Sequence, residues 1–105
     1  MTEASNMAAE ILALAILEPV PGKEDELVAY LREFYSLLQR KEYSRDILYR
    51  DAGRPGSFVH LRYWKSAEAR AEAQHDPEVH KYWQGLPDLC AINTVYEDLQ
   101  TAVEF

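Results

Sequence analysis

The sequence predicts an α+β domain in which four strands and two helical segments follow the order β-α-β-β-α-β. Three observations carry this. An unbroken apolar run from Ile11 to Leu17 suits a strand covered on both faces. Leu27, Tyr30, Leu31, Phe34, Leu37 and Leu38 recur at spacings of three and four, as on one face of a helix. The stretches "RDILYRD", "FVHLRYW" and "AINTVYEDL" alternate with a period of two, as strands do.

Residues 1–9 are small and polar and are expected to be disordered; the domain is expected over residues 10–99, with 100–105 as a tail that is either loose or crosses onto a partner subunit. Pro19, Pro21 and Gly22 end the first strand. Glu24, Asp25 and Glu26 then oppose the dipole of a helix expected over Lys23–Arg40. After the second strand, "AGRPGS" reads as a turn in which Gly53 and Gly56 supply positive φ. Ser66 is placed to cap the next helix, with Glu68 near the capping-box position. Asp76 and Pro77 start a further helical segment that closes near Gly85 and Pro87. This is the split βαβ pattern of ferredoxin-like domains, a four-stranded antiparallel sheet with helices on one face. An apolar first strand implies that the other face is covered too. Hiding roughly six to eight side chains there, at ~1.5–3 kcal/mol each, drives association of a homodimer through the sheet face.

Composition narrows the function. The 105 residues fit one domain, and 48% hydrophobic with 28% charged residues is a folded composition. The 7 Tyr, 3 Phe and 2 Trp are enough to line a cavity as well as a core. A net charge of -7 without a Lys/Arg cluster argues against nucleic acid. "MAAEILALAIL" lacks a basic leader and is too short to span a bilayer, so no membrane role is expected. The single Cys90 excludes an internal disulfide and fits a cytoplasmic location.

The third strand, Phe58 to Trp64, holds the residues that raise a functional question. Phe58, His60, Arg62 and Trp64 share one face, opposite Val59, Leu61 and Tyr63, which read as ordinary core. His60 is either a hydrogen-bonded core residue or a base. Arg62 requires either a partner acid, for which Asp46 and Glu97 are the candidates, or a polar cavity. Trp64 either plugs the strand-to-helix junction or lines a pocket, and Tyr82, His80 and Trp83 either cover that pocket or pack. His75, Asp76 and His80 lie close in sequence, but positions 75 and 80 do not share a helix face, so no metal site is assigned.

"PVPGKEDEL", "YWKSAEA", "DPEV" and "GLPDL" resemble the antibiotic biosynthesis monooxygenase family of dimeric α+β barrels, over about Ile11 to Leu99. The most specific element is Trp64-Lys65-Ser66 with Ala69, which is similar to the family's Trp-x-Ser-x-x-Ala junction. The resemblance implies a small enzyme that oxygenates phenolic, anthrone or quinol compounds without a cofactor, or else an isomerase. In the polyketide-type members an asparagine precedes the tryptophan by four residues and an aromatic follows by six; here these positions hold His60 and Arg70. A basic residue before the Leu-Pro turn falls on His80. The haem-degrading branch fits poorly, since its second tryptophan falls on Ala73 and its haem-ligating histidine on Trp83.

The expected reading is a pocket between sheet and helices, with His60 as base, Arg62 stabilising an anion, and Trp64, Arg70, His80 and Trp83 holding a small aromatic ligand. The alternative is a non-catalytic barrel that binds a small molecule or serves a stress response. An inert interaction domain is the third reading.

Overall fold

The computed structural model describes residues 10–105. The expected disorder over residues 1–9 lies outside the described residues. The elements are β1 (Ile11–Pro19), α1 (Glu24–Arg40), β2 (Ser44–Arg50), β3 (Phe58–Trp64), α2 (Ala67–Gln74), α3 (Pro77–Gly85), a 3-10 turn over Leu86–Asp88, and β4 (Cys90–Gln100). The strands form one antiparallel sheet in the order β2-β3-β1-β4, the arrangement that the βαββαβ reading requires.

Local chemistry sets the boundaries. Ser66 caps α2 by accepting from the Ala69 amide at 3.0 Å, and Asp76 caps α3 by accepting from the Glu78 amide at 2.9 Å, with Pro77 at the first turn. In the hairpin between β2 and β3, Asp51 accepts from the Gly53 amide at 2.9 Å. Gly56 there adopts positive φ (86°), but Gly53 does not; the second left-handed glycine is Gly22 (83°), in the turn before α1. The expected positive φ at Gly53 is corrected accordingly: the Asx turn bends the chain there without it.

The helices cover one face of the sheet. Leu27, Leu31, Phe34 and Leu38 of α1, with Val79 of α3 and Leu17 and Phe58 of the sheet, form a core in which each side chain is almost fully buried. Burial of a side chain of this size is worth about 1.5–3 kcal/mol. Asp76 also ties the helices together, because its second carboxylate oxygen accepts from Lys41 Nζ (2.8 Å) and the Tyr43 hydroxyl (2.7 Å) at the end of α1. These donors, Lys41 first, hold the Asp76 carboxyl down at about 2.

The opposite face corrects an expectation. Val59, Leu61 and Tyr63 are not enclosed by the chain's own core, because they point away from the helices together with Leu12, Leu14 and Ile16 of β1. Among the described residues nothing covers this face, and Tyr96 and Leu99 of β4 are 50% and 38% exposed.

Candidate functional site

The register places the polar β3 side chains opposite defined partners on the helix-covered face. Arg62 lies between Ala13 of β1 and Asp46 of β2, and His60 lies between Ala15 and Leu48. Alternation in β1 therefore puts alanines where β3 carries its two long polar groups. The space those alanines leave is a cavity of about 530 Å³ under α1, α2 and α3. His60, Arg62, Trp64, Phe34, Trp83 and Thr94 are among its walls.

Asp46 organises the polar wall. Its side chain is fully buried. One carboxylate oxygen accepts from Arg62 Nε at 2.6 Å and sits 2.9 Å from His60 Nε2; the other accepts from the Ser44 hydroxyl at 2.7 Å. Burial pushes the Asp46 carboxyl up, but Arg62, His60 and Ser44 outweigh that and hold it below the ordinary carboxylate range. For His60, burial is the largest influence and lowers its value; Arg62 lowers it further, while the Asp46 hydrogen bond works the other way.

A neutral imidazole beside an ionised carboxylate has one consistent arrangement: Nε2 carries the hydrogen and donates it to Asp46, leaving the Nδ1 lone pair free. Among the described residues no group bonds to Nδ1. Tyr35 stacks on the imidazole with ring centroids 5.1 Å apart and fixes its plane. Arg62 spends Nε on Asp46, and its guanidinium lies 5.0 Å from the Phe34 ring centroid and 5.3 Å from that of Trp64. No protein acceptor among the described residues takes its Nη hydrogens. A buried guanidinium anchored from behind, with free donors at a cavity wall, is suited to an anion.

The remaining expected residues divide. Trp64, Arg70 and Trp83 line the cavity. Arg70 does so at its rim, bonded to Asp98 Oδ1 (2.5 Å) and the Glu97 carbonyl (3.1 Å), which joins α2 to β4. His80 does not reach the cavity. It is exposed on α3, bonds the Gln74 carbonyl, and meets the site only through an edge contact with Trp83 (5.4 Å). The α3 periodicity explains this: Val79 and Trp83, four residues apart, turn inward, and position 80 is rotated away.

Asp46 is one of the two acids expected for Arg62, and both alternatives for that arginine hold at once: it has a carboxylate partner and it lines a cavity. Sequence reasoning misses Tyr35, Phe34 and Thr94 as site residues. Phe34 looks like an ordinary member of the α1 stripe and Tyr35 falls outside that stripe, so only the docking of α1 on β3 marks either as a site residue. A signal for the cavity is present in the alternation of Ala13 and Ala15 with Leu12, Leu14 and Ile16.

Among the described residues no helix is long and apolar enough to cross a membrane, and no group of three or more His, Cys, Asp or Glu gathers around a common point. No family profile matches the sequence. No curated protein matches it either. Solved structures do match. A variant of SnoaB, a cofactor-independent oxygenase from Streptomyces nogalater, is 18% identical, with a TM-score of 0.77 over 92% of this chain and 100% of that one. A putative antibiotic biosynthesis monooxygenase from Bacteroides thetaiotaomicron is 21% identical, with a TM-score of 0.70 over 90% of each chain. Another from Chloroflexus aurantiacus is 18% identical, with a TM-score of 0.73 over 91% of this chain and 96% of that one. The fold is thus the one found in structures described as antibiotic biosynthesis monooxygenases, the group that the motifs around Trp64 resemble.

Proposed function

We propose that the protein is a cofactor-independent monooxygenase acting on a small electron-rich aromatic compound, a phenol, anthrone or quinol, in the cavity between sheet and helices. The observation that carries this reading is geometric: Asp46 holds His60 at Nε2, no described residue bonds its Nδ1, and beside it stands Arg62, whose Nη groups have no protein acceptor among the described residues.

In this reading the ring stacks against Trp64, and His60 Nδ1 takes the proton from the activated carbon or hydroxyl. Arg62 stabilises the oxyanion that results, acting in a site with little water to compete. For an anthrone methylene, the anion's electron pair attacks dioxygen and a carbon-oxygen bond forms. Reprotonation gives a hydroperoxide, and loss of water leaves a carbonyl. The methylene carbon gives up both of its hydrogens and is oxidised, while dioxygen is reduced. One oxygen atom ends in the carbonyl and the other in water, so no further reductant is needed.

The same proposal makes the working unit a homodimer. The uncovered sheet face carries Leu12, Leu14, Ile16, Leu61, Tyr96 and Leu99, and a second copy of that face is its natural complement.

The second reading, a non-catalytic small-molecule barrel, draws on one fact: Asp46 bonds both His60 and Arg62, as a purely structural ion pair also would. Oxygen uptake and Trp fluorescence, followed together during titration with hydroxy-anthrones and quinols, separate the two. The oxygenase reading expects quenching with oxygen consumption that falls about 10²–10⁴-fold in His60→Ala. Quenching without oxygen consumption leaves a binding barrel, and undiminished consumption in His60→Ala removes histidine as the base.

A further inference from the structure

A second cavity of about 530 Å³ lies on the other side of Tyr35 and Asp46, between α1 and the edge strand β2. One stripe of α1 walls it, with Val28, Leu31, Arg32, Tyr35, Ser36 and Gln39 following helical spacing; the facing wall comes from β2 and from Phe58. Its floor is apolar and its rim is cationic, which is unusual in a chain of net charge -7.

The charges at the rim are available. Arg32 makes no ion pair among the described residues. Arg50 bonds Glu24 at 2.9 Å, but both side chains are well exposed, and exposed pairs of this kind exchange for a ligand at little cost. Asp46, the acid that lines this cavity, is already committed to Arg62, His60 and Ser44 and does not cancel the rim. Arg45 stays over the Tyr63 ring, 3.8 Å from its centroid, and takes no part in binding.

A second observation points to a missing acceptor. The Tyr35 hydroxyl is buried and bonds to nothing among the described residues. A buried hydroxyl without a partner costs about 1–3 kcal/mol, and native structures leave few of them. Tyr35 is on the wall of this cavity and stacked on His60 behind it.

We infer that the groove between α1 and β2 is a second binding site, separate from the oxygenation cavity, for an amphipathic organic anion: a carboxylate whose head is held by Arg32 and Arg50 and whose flat apolar body lies on Leu31, Leu48 and Phe58. The Tyr35 hydroxyl supplies a donor to it at the inner end. Occupancy presses on the ring that stacks on His60, so the two sites communicate through Tyr35.

Calorimetric titration of the purified full chain with 2-naphthoate tests this, and it requires no turnover. The expected result is saturable binding that weakens tenfold or more in Arg32→Ala/Arg50→Ala and a few-fold in Tyr35→Phe, while Thr94→Leu, which narrows the other cavity, leaves it unchanged. The rim arginines are exposed, so their replacement does not threaten the fold. Binding also moves the His60 imidazole resonances in the wild type. No saturable binding, binding indifferent to the arginines, or binding lost in Thr94→Leu would each overturn the inference. None of these outcomes bears on whether the main cavity consumes oxygen, so the two proposals fail separately.

Discussion

The two faces of the sheet are made by the same strands and treat side chains in opposite ways. On the helix-covered face, β2 and β3 place Asp46, His60 and Arg62 next to one another, buried and hydrogen-bonded. One residue along in each strand, Ile47 and Leu61 face the other way, onto an apolar surface that nothing in the described chain covers. A period of two thus lets seven residues of β3 serve two purposes: polar groups sit where helices exclude water, and apolar groups where a second subunit is expected. The Asp46, His60 and Arg62 cluster departs from the rule of hydrophobic residues inside and polar residues outside, on a face that otherwise buries Leu17, Phe58 and Trp64.

The largest effect is expected from breaking the covered face at its centre. Asp46→Ala leaves a buried arginine without its carboxylate and should destabilise the fold by about 3–5 kcal/mol in urea unfolding, because an orphaned buried charge is expensive. Acid acts on the same cluster. His60 has a lowered value in the fold, so the unfolded chain binds its proton more readily, and stability should fall as pH drops below the ordinary imidazole value of about 6.5. Asp46 is also lowered; its contribution is present above the ordinary carboxylate value of about 4 and is lost as pH falls through its folded value. An acid titration of stability with His60→Gln should lack the first of these two phases.

Leu61→Arg tests the other face in the same strand. Sedimentation should show a monomer in place of the proposed dimer, with a thermal midpoint that no longer rises with protein concentration. Retention of the dimer would place the interface elsewhere. The contrast with Asp46→Ala is the informative part: one change destabilises the subunit itself and the other separates subunits that remain folded.

A smaller effect tests how tightly the roof is fitted. A Cβ built on Gly85 meets the Tyr30 hydroxyl well inside contact distance, and that hydroxyl donates to the Tyr82 carbonyl at 2.9 Å. Gly85→Ala should cost about 1–3 kcal/mol through overpacking, although Gly85 has an ordinary backbone conformation. At the bottom of the scale, Lys65→Ala removes an exposed pair with Glu42 and should change stability by less than about 0.5 kcal/mol, the expectation for a surface site away from both faces.

Much of this contrast is legible in the residues. Periodicity and caps identify every strand and helix because the signals at Ser66, Asp76 and Pro77 have local physical causes. The face shared by His60, Arg62 and Trp64 follows from alternation alone. What alternation cannot supply is register. That Asp46, and not Glu97, meets Arg62 depends on how β2 pairs with β3, which is set by a hairpin of ambiguous length containing two glycines. His80 stays out of the site for a related reason: a break at Pro77 resets the helix phase, and its orientation depends on how α3 docks. The reading of Val59, Leu61 and Tyr63 as core assumes that the chain covers its own hydrophobic residues, which a subunit of an assembly need not do.

The tautomer of His60 is the most direct test of the chemistry assigned to the covered face. Nitrogen-15 NMR of the imidazole at pH 7 should show Nε2 protonated, Nδ1 unprotonated and the ring neutral, with Asp46→Asn disturbing that pattern. An imidazolium at pH 7, or a hydrogen on Nδ1, would leave no base at the cavity and would contradict the mechanism outright.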